Sequence, residues 1–175
     1  SSDVCSSDLI HIFALIRQLI QICNFDPESK ESAKADAVEA QMKEIWKQDP
    51  STKVLIFSLS VETLKYLCEK YHQYSPILYY GEMSDAQREN AKQQFVNHGK
   101  LLLISTKAGY RGLNLQVASE VFHFDRSWNP TDQMQEEDRA WRMGQEKPVT
   151  VYRYIQEDTI EERIHEVLEI GRAHV

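Results

Sequence analysis

The segment Gln135-Glu136-Glu137-Asp138-Arg139-Ala140-Trp141-Arg142-Met143-Gly144-Gln145 places two arginines three residues apart, beside a carboxylate and two glutamines. On a helix, positions i and i+3 share a face, so Arg139 and Arg142 can converge on one target. Two permanent cations at one point suit a polyanion, and a phosphoryl group under transfer is the leading candidate. A solvated, salt-bridged helix would carry the same residues. The elements that position this segment must decide between the two.

Those elements alternate in type. Apolar residues recur at Ile12, Leu15, Ile16, Leu19 and Ile20, predicting an amphipathic helix over 10–22 that stops near Asn24-Phe25-Asp26-Pro27. A second helical pattern covers 32–46, and Asp49-Pro50-Ser51 breaks it. Val54 to Phe57 predicts a buried strand, because the apolar residues are contiguous and partly β-branched. A helix over 61–72, a strand at Ile77-Leu78-Tyr79-Tyr80 and a turn at Gly81 follow. Ser84 opens the next helix, with its capping-box partner Gln87 three residues on, and that helix runs to about Asn97. Further strands are predicted at 101–105, 120–124 and 149–155. Strands alternating with helices imply an α/β fold, a central parallel sheet with helices on both faces.

In such sheets ligands gather at the carboxyl ends of the strands. Here those ends are polar. The first strand ends at Ser58, the third enters Ser105-Thr106-Lys107-Ala108-Gly109-Tyr110-Arg111-Gly112-Leu113-Asn114-Leu115, and the fourth enters Asp125-Arg126-Ser127-Trp128-Asn129-Pro130. Hydroxyls, a lysine and glycines after a strand can donate to phosphate oxygens, although an ordinary turn uses the same residues.

Taken in order, Ser105 to Gly109, Gly112-Leu113-Asn114-Leu115, Phe124-Asp125, Trp128-Asn129-Pro130, Gln135, Asp138-Arg139, Arg142 and Gly144-Gln145 resemble the second motor lobe of Swi/Snf-type ATPases in helicase superfamily 2. The resemblance runs from Gln21-Ile22-Cys23-Asn24 to Thr159-Ile160-Glu161-Glu162-Arg163-Ile164, and Asn24-Phe25-Asp26-Pro27 with Val61-Glu62-Thr63-Leu64 look more like bacterial members. It implies a RecA-like three-layer domain. It implies that Arg139 and Arg142 are arginine fingers reaching a nucleotide, that Gln135 and Asp138 orient them, and that Gly112 and Asn114 line the nucleotide cleft. Thr106 and Lys107 would grip a DNA strand, with Trp128 and Asn129 beside the same groove and Ser58 adding a phosphate contact. Implied partners are double-stranded DNA and an N-terminal RecA-like lobe of the same protein, which would hold most of the ATP and Mg²⁺. Tyr110 and Arg111 stand where the family usually has a glycine and an aliphatic residue, and Trp141 where it usually has histidine, so the efficiency of coupling is expected to differ.

What the sequence lacks bounds the function. It contains no Gly-x-x-x-x-Gly-Lys-Ser/Thr phosphate loop and no acidic metal-binding motif of a first lobe, so this chain alone is expected not to hydrolyse ATP. An alternative is a nucleic-acid-binding module with the same fold and no motor activity. The formal net charge of -7 in 175 residues argues against polyanion binding by the whole surface and requires a local patch. The apolar runs fall far short of the roughly 20 residues that span a bilayer, so no membrane role is expected. Cys5, Cys23 and Cys68 show neither metal-ligand spacing nor a disulfide framework, which fits a reducing cytoplasm, on the nucleoid if the source is bacterial. His11, His72, His98, His123 and His165 lack acid or cysteine partners at ligand or triad spacing, and structural or surface roles are expected.

The two ends carry a separate signal. A DNA sequence that encodes Asp3-Val4-Cys5-Ser6-Ser7-Asp8 has a reverse complement that encodes Ile170-Gly171-Arg172-Ala173-His174-Val175. An inverted match of this kind has no folding rationale and looks like read-through of a sequencing adaptor. Residues 1–9 and 170–175 are therefore expected to be non-native tails, with the helicase-type domain over 10–169.

Overall fold

The contiguous apolar segments form the strands. In the computed structural model, which describes residues 3–109, 117–127 and 149–172, Val54–Ser58 forms β1, Ile77–Tyr79 β2, Leu101–Ser105 β3, Glu120–His123 β4 and Thr150–Arg153 β5. They make one sheet in the order β2-β3-β1-β4-β5, with every pair parallel. All residues of β1 and β3 are buried, as expected for central strands covered on both faces.

The helices are α1 (Asp3–Asn24), α2 (Ala33–Gln48), α3 (Val61–Lys70), α4 (Asp85–Asn97), the single turn α5 (Thr106–Gly109) and α6 (Ile160–Arg172). Strand periodicity divides the core in two. Val54, Ile56, Leu101, Leu103, Phe122 and Phe124 face one way and pack with Val38, Met42, Leu64 and Leu67 of α2 and α3. Leu55, Phe57, Leu102, Ile104 and Val121 face the other way, against Ala91 and Phe95 of α4 and Ala108 of α5. The result is the parallel sheet covered on both faces that the alternating strands and helices predict, the three-layer arrangement that the resemblance implies.

Local signals also hold. Ser32 caps α2 by accepting from the Ala35 N–H, and Ser60 caps α3 by accepting from the Thr63 N–H. Ser84 and Gln87 form a complete capping box at the start of α4. The predicted helix over 61–72 stops at Lys70, after which His72–Tyr74 tightens into a 3-10 turn and Ser75 takes a left-handed conformation (φ 51°).

Helix α1 differs from its prediction in two ways. It begins at Asp3 rather than residue 10, since residues 3–9 contain neither Gly nor Pro and an existing helix propagates through such a stretch. Its apolar stripe is also wider than the surface available to it. Ile20 and Asn24 are buried, whereas Ile12, Leu15, Leu19 and Ile22 are exposed. The side carrying Ile20 meets the domain, and α1 packs beside α6.

Candidate functional site

Strand β1 is the switch strand of the sheet. Its outgoing helix α3 lies on one face, while α4 and α5, which flank β3, lie on the other. A crevice at the carboxyl end of the strands belongs at such a switch point. The carboxyl ends of β3, β1 and β4 are neighbours there, with Ser58 in register with Ser105 and Phe57 with His123. A hydrogen bond from the Phe124 N–H to the Phe57 carbonyl (2.9 Å) extends the β1 and β4 pairing by one step.

Asp125 sits beyond that last rung and is 3 % exposed. Its Oδ1 accepts from the Leu59 N–H at 2.6 Å. Its Oδ2 accepts from the Ser58 hydroxyl at 2.7 Å and from the Asn24 side-chain amide at 2.7 Å. The same amide donates to the Thr63 hydroxyl at 3.1 Å, which joins α1 to α3. Asn24 Oδ1 accepts from Lys34 Nζ at 3.1 Å, and Lys34 pairs with Glu161 of α6 at 2.5 Å. The Lys34 ammonium also lies 5.1 Å from the centre of the Phe124 ring. Glu161 Oε2 accepts from the Gln156 N–H at 3.0 Å. One buried cluster thus joins α1, α2, the β1 exit, α3, the β4 exit and α6.

The electrostatics follow from burial. Loss of solvation pushes the Asp125 carboxyl up, opposed by the hydrogen bonds from Ser58, Leu59 and Asn24 and by the Lys34 charge. Glu161 is likewise raised, first by burial, with Lys34 opposing and Asp125 adding to the rise. Two carboxyl groups share one ammonium. Burial also raises the thiols of Cys23 and Cys68, which makes both poor nucleophiles near neutral pH.

The sequence matches the family described as the helicase conserved C-terminal domain over residues 33–144. The chain belongs to that family.

Curated relatives of this helicase C-terminal domain include the DNA repair protein RAD5 of Cryptococcus neoformans, 40% identical over 141 residues, and the human SWI/SNF-related matrix-associated actin-dependent regulator of chromatin subfamily A member 1, 39% identical over 141 residues. These alignments cover 78% and 77% of this chain but 12% and 13% of the relatives, so the chain spans about an eighth of their length. Among solved structures, the Sulfolobus solfataricus SWI2/SNF2 ATPase core domain superposes with a TM-score of 0.72 at 30% identity, covering 92% of this chain and 35% of that one. The C-terminal part of the Fun30 ATPase domain superposes with a TM-score of 0.70 at 34% identity, covering 89% and 54%. The helicase C-terminal domain is thus the RecA-like C-terminal lobe of SWI2/SNF2-type ATPases. The leaning toward bacterial members gains no support, since these curated relatives come from eukaryotes.

Of the expected site residues, Gly112, Asn114, Trp128, Asn129, Gln135, Asp138, Arg139 and Arg142 lie outside the described residues. Thr106 and Lys107 open α5 directly at the β3 exit, Thr106 buried and Lys107 exposed. Ser58 ends β1 with its side chain fully buried and its hydroxyl donating to Asp125.

Asn24, Lys34, Thr63 and Glu161 were not among the expected site residues. A signal existed for two of them. Lys34 falls four residues before Val38 on the stripe that continues to Met42 and Ile45, and Glu161 falls three before Ile164, so each charge occupies a core position of its helix. Among the described residues no group of three His, Cys, Asp or Glu side chains could hold a metal ion. Asp125 already engages both oxygens within the protein, so the described strand exits do not fit Mg²⁺.

Proposed function

We propose that this chain is the C-terminal motor lobe of an ATP-dependent double-stranded DNA translocase. The observation that carries the reading is the adjacency of the β3, β1 and β4 exits. Thr106 and Lys107 stand at the first, and residues 110–116 and 128–148 continue the chain from the first and third. In this reading Thr106 and Lys107 contact the backbone of the tracked strand, with Trp128 and Asn129 beside them. Arg139 and Arg142 reach toward the transferred phosphoryl group, oriented by Gln135 and Asp138, while Gly112 and Asn114 line the cleft. ATP and Mg²⁺ would be held mainly by an N-terminal RecA-like lobe in the parent protein. When bound there, they supply the phosphoryl group whose charge the two guanidinium groups stabilise.

The test uses ATP hydrolysis with and without duplex DNA. The chain alone is expected to show no DNA-stimulated hydrolysis, and a parent protein with both lobes to show it. Arg142→Ala in the parent should lower kcat by roughly 10³-fold or more, as loss of an arginine finger does elsewhere. Full activity in that variant would remove the finger assignment. Salt-sensitive DNA binding with no hydrolysis even in the parent would instead favour a binding module. Residues 1–9 and 170–175 are proposed to be adaptor-derived, and native codons continuing across both junctions on resequencing would refute that.

A further inference from the structure

Exits of parallel strands keep their spacing through the backbone ladder and through whatever ties the loops beyond it. Between β1 and β4 the ladder ends at Phe57 and His123, with one more bond from Phe124. Past that point the connection runs through Asp125, which takes the Leu59 N–H, the Ser58 hydroxyl and the Asn24 amide on its two oxygens. A buried negative charge directly below a surface proposed to take a polyanion is electrostatically unfavourable, so its value there must lie in geometry. An amide replaces it poorly. The Asn NH₂ would face the Asn24 NH₂, donor against donor, and the Ser58 hydroxyl would have to turn from donor to acceptor, leaving a single oxygen for the Leu59 N–H.

We propose that Asp125 is a positioning residue for nucleic-acid binding, fixing the gap between the β1 and β4 exits across which a DNA backbone lies. This rests on the translocase reading and deepens it. Asp125 itself touches no phosphate. It sets where the chain leaves the sheet at Arg126, two residues before Trp128 and three before Asn129.

The two physical effects have opposite signs, which makes the test decisive. If Asp125 acted only as a charge near DNA, Asp125→Asn would bind duplex more tightly. If it acts by holding the exits, the variant binds more weakly. The experiment measures fluorescence anisotropy of a labelled duplex with the full 175-residue chain between 50 and 200 mM salt, with affinities normalised to the folded fraction from far-UV circular dichroism. Asp125→Asn is expected to raise Kd about tenfold, and Ser58→Ala, which removes one tie and no charge, about threefold, the scale of the net contribution of a single hydrogen bond. Lys107→Ala should weaken binding and reduce the salt slope by about one, as loss of a direct phosphate contact does. Binding by Asp125→Asn or Ser58→Ala that equals or exceeds wild type would overturn the inference while leaving the DNA reading intact. If Asp125→Asn does not fold, Ser58→Ala decides on the same criterion. Failure of the wild-type chain to bind duplex, with Lys107→Ala equally inert, would remove the DNA reading and this inference with it.

Discussion

Replacing Lys34 with methionine tests the charge balance of the buried cluster. The side chains of Lys34 and Glu161 are 4% and 7% exposed, so their 2.5 Å pairing is screened little by water. Methionine fills much of the same volume and keeps an unbranched stem against Phe124. What disappears is the one ammonium that faces two carboxyl groups, together with the donor to Asn24 Oδ1. Removing one partner of a buried pair costs about 3–5 kcal/mol, because the other charge is left without compensation. That is a large share of the roughly 5–15 kcal/mol that holds a domain folded. The loss is limited by protonation: Glu161 and Asp125 are already raised, so one of them takes up a proton in the variant and the penalty shrinks toward pH 5. Urea unfolding followed by far-UV circular dichroism at pH 7.5 and 5.0 gives both numbers. The double variant Lys34→Met/Glu161→Gln should recover at least half of the loss at pH 7.5, since it removes the orphaned charge as well. A loss below about 1 kcal/mol, or strict additivity of Lys34→Met and Glu161→Gln, would refute the reasoning, because exposed pairs behave that way and buried ones do not.

Three further outcomes follow from the structure. Ser84→Ala removes one half of the capping box at α4 and should cost about 1 kcal/mol, seen as a fall in Tm of roughly 2–4 °C for a chain of this size. Gly99→Ala would place a Cβ 2.5 Å from Ile77 Cδ1 and 2.9 Å from the Phe95 Cα; Ile77 can shift but the α4 backbone cannot readily, so a loss of about 1–3 kcal/mol is expected in urea unfolding. Asp125 and Glu161 have raised folded pKa values, so the folded state holds their protons more tightly than the unfolded state does. Their contribution to stability is then fully present below the unfolded value of about 4 and declines as pH rises through the folded values. The stability of wild type minus that of Asp125→Asn/Glu161→Gln should therefore fall with rising pH, and a difference that grows would contradict the assignment.

Much of the fold was legible because its signals are local. The β1 and β3 runs, the Ser84 and Gln87 box and the break at Asp49-Pro50 each lie within a few residues, where propensity and sterics act directly. The cluster was not, because its partners meet only after the chain has folded. Asp125 lies 67 residues from Ser58 and 101 from Asn24, and Lys34 lies 127 from Glu161. A serine at a strand end can point toward solvent or toward the sheet, and only the presence of Asp125 decides the matter for Ser58. Helix α1 shows the complementary difficulty: periodicity identifies an apolar stripe, but which part of it is covered depends on where α6 packs.

The same cluster bears on how the chain matures. Lys34 precedes its counter-charge Glu161 by 127 residues, so α2 cannot settle onto the sheet without stranding an ammonium until α6 has also docked. A product truncated before α6 would therefore hold Lys34 near water, with α2 loosened and the β1 face partly uncovered, and would be an open substrate for cellular proteases. The buried ion pair thus ties the docking of α2 to that of α6, so the two helices cover the sheet together or not at all.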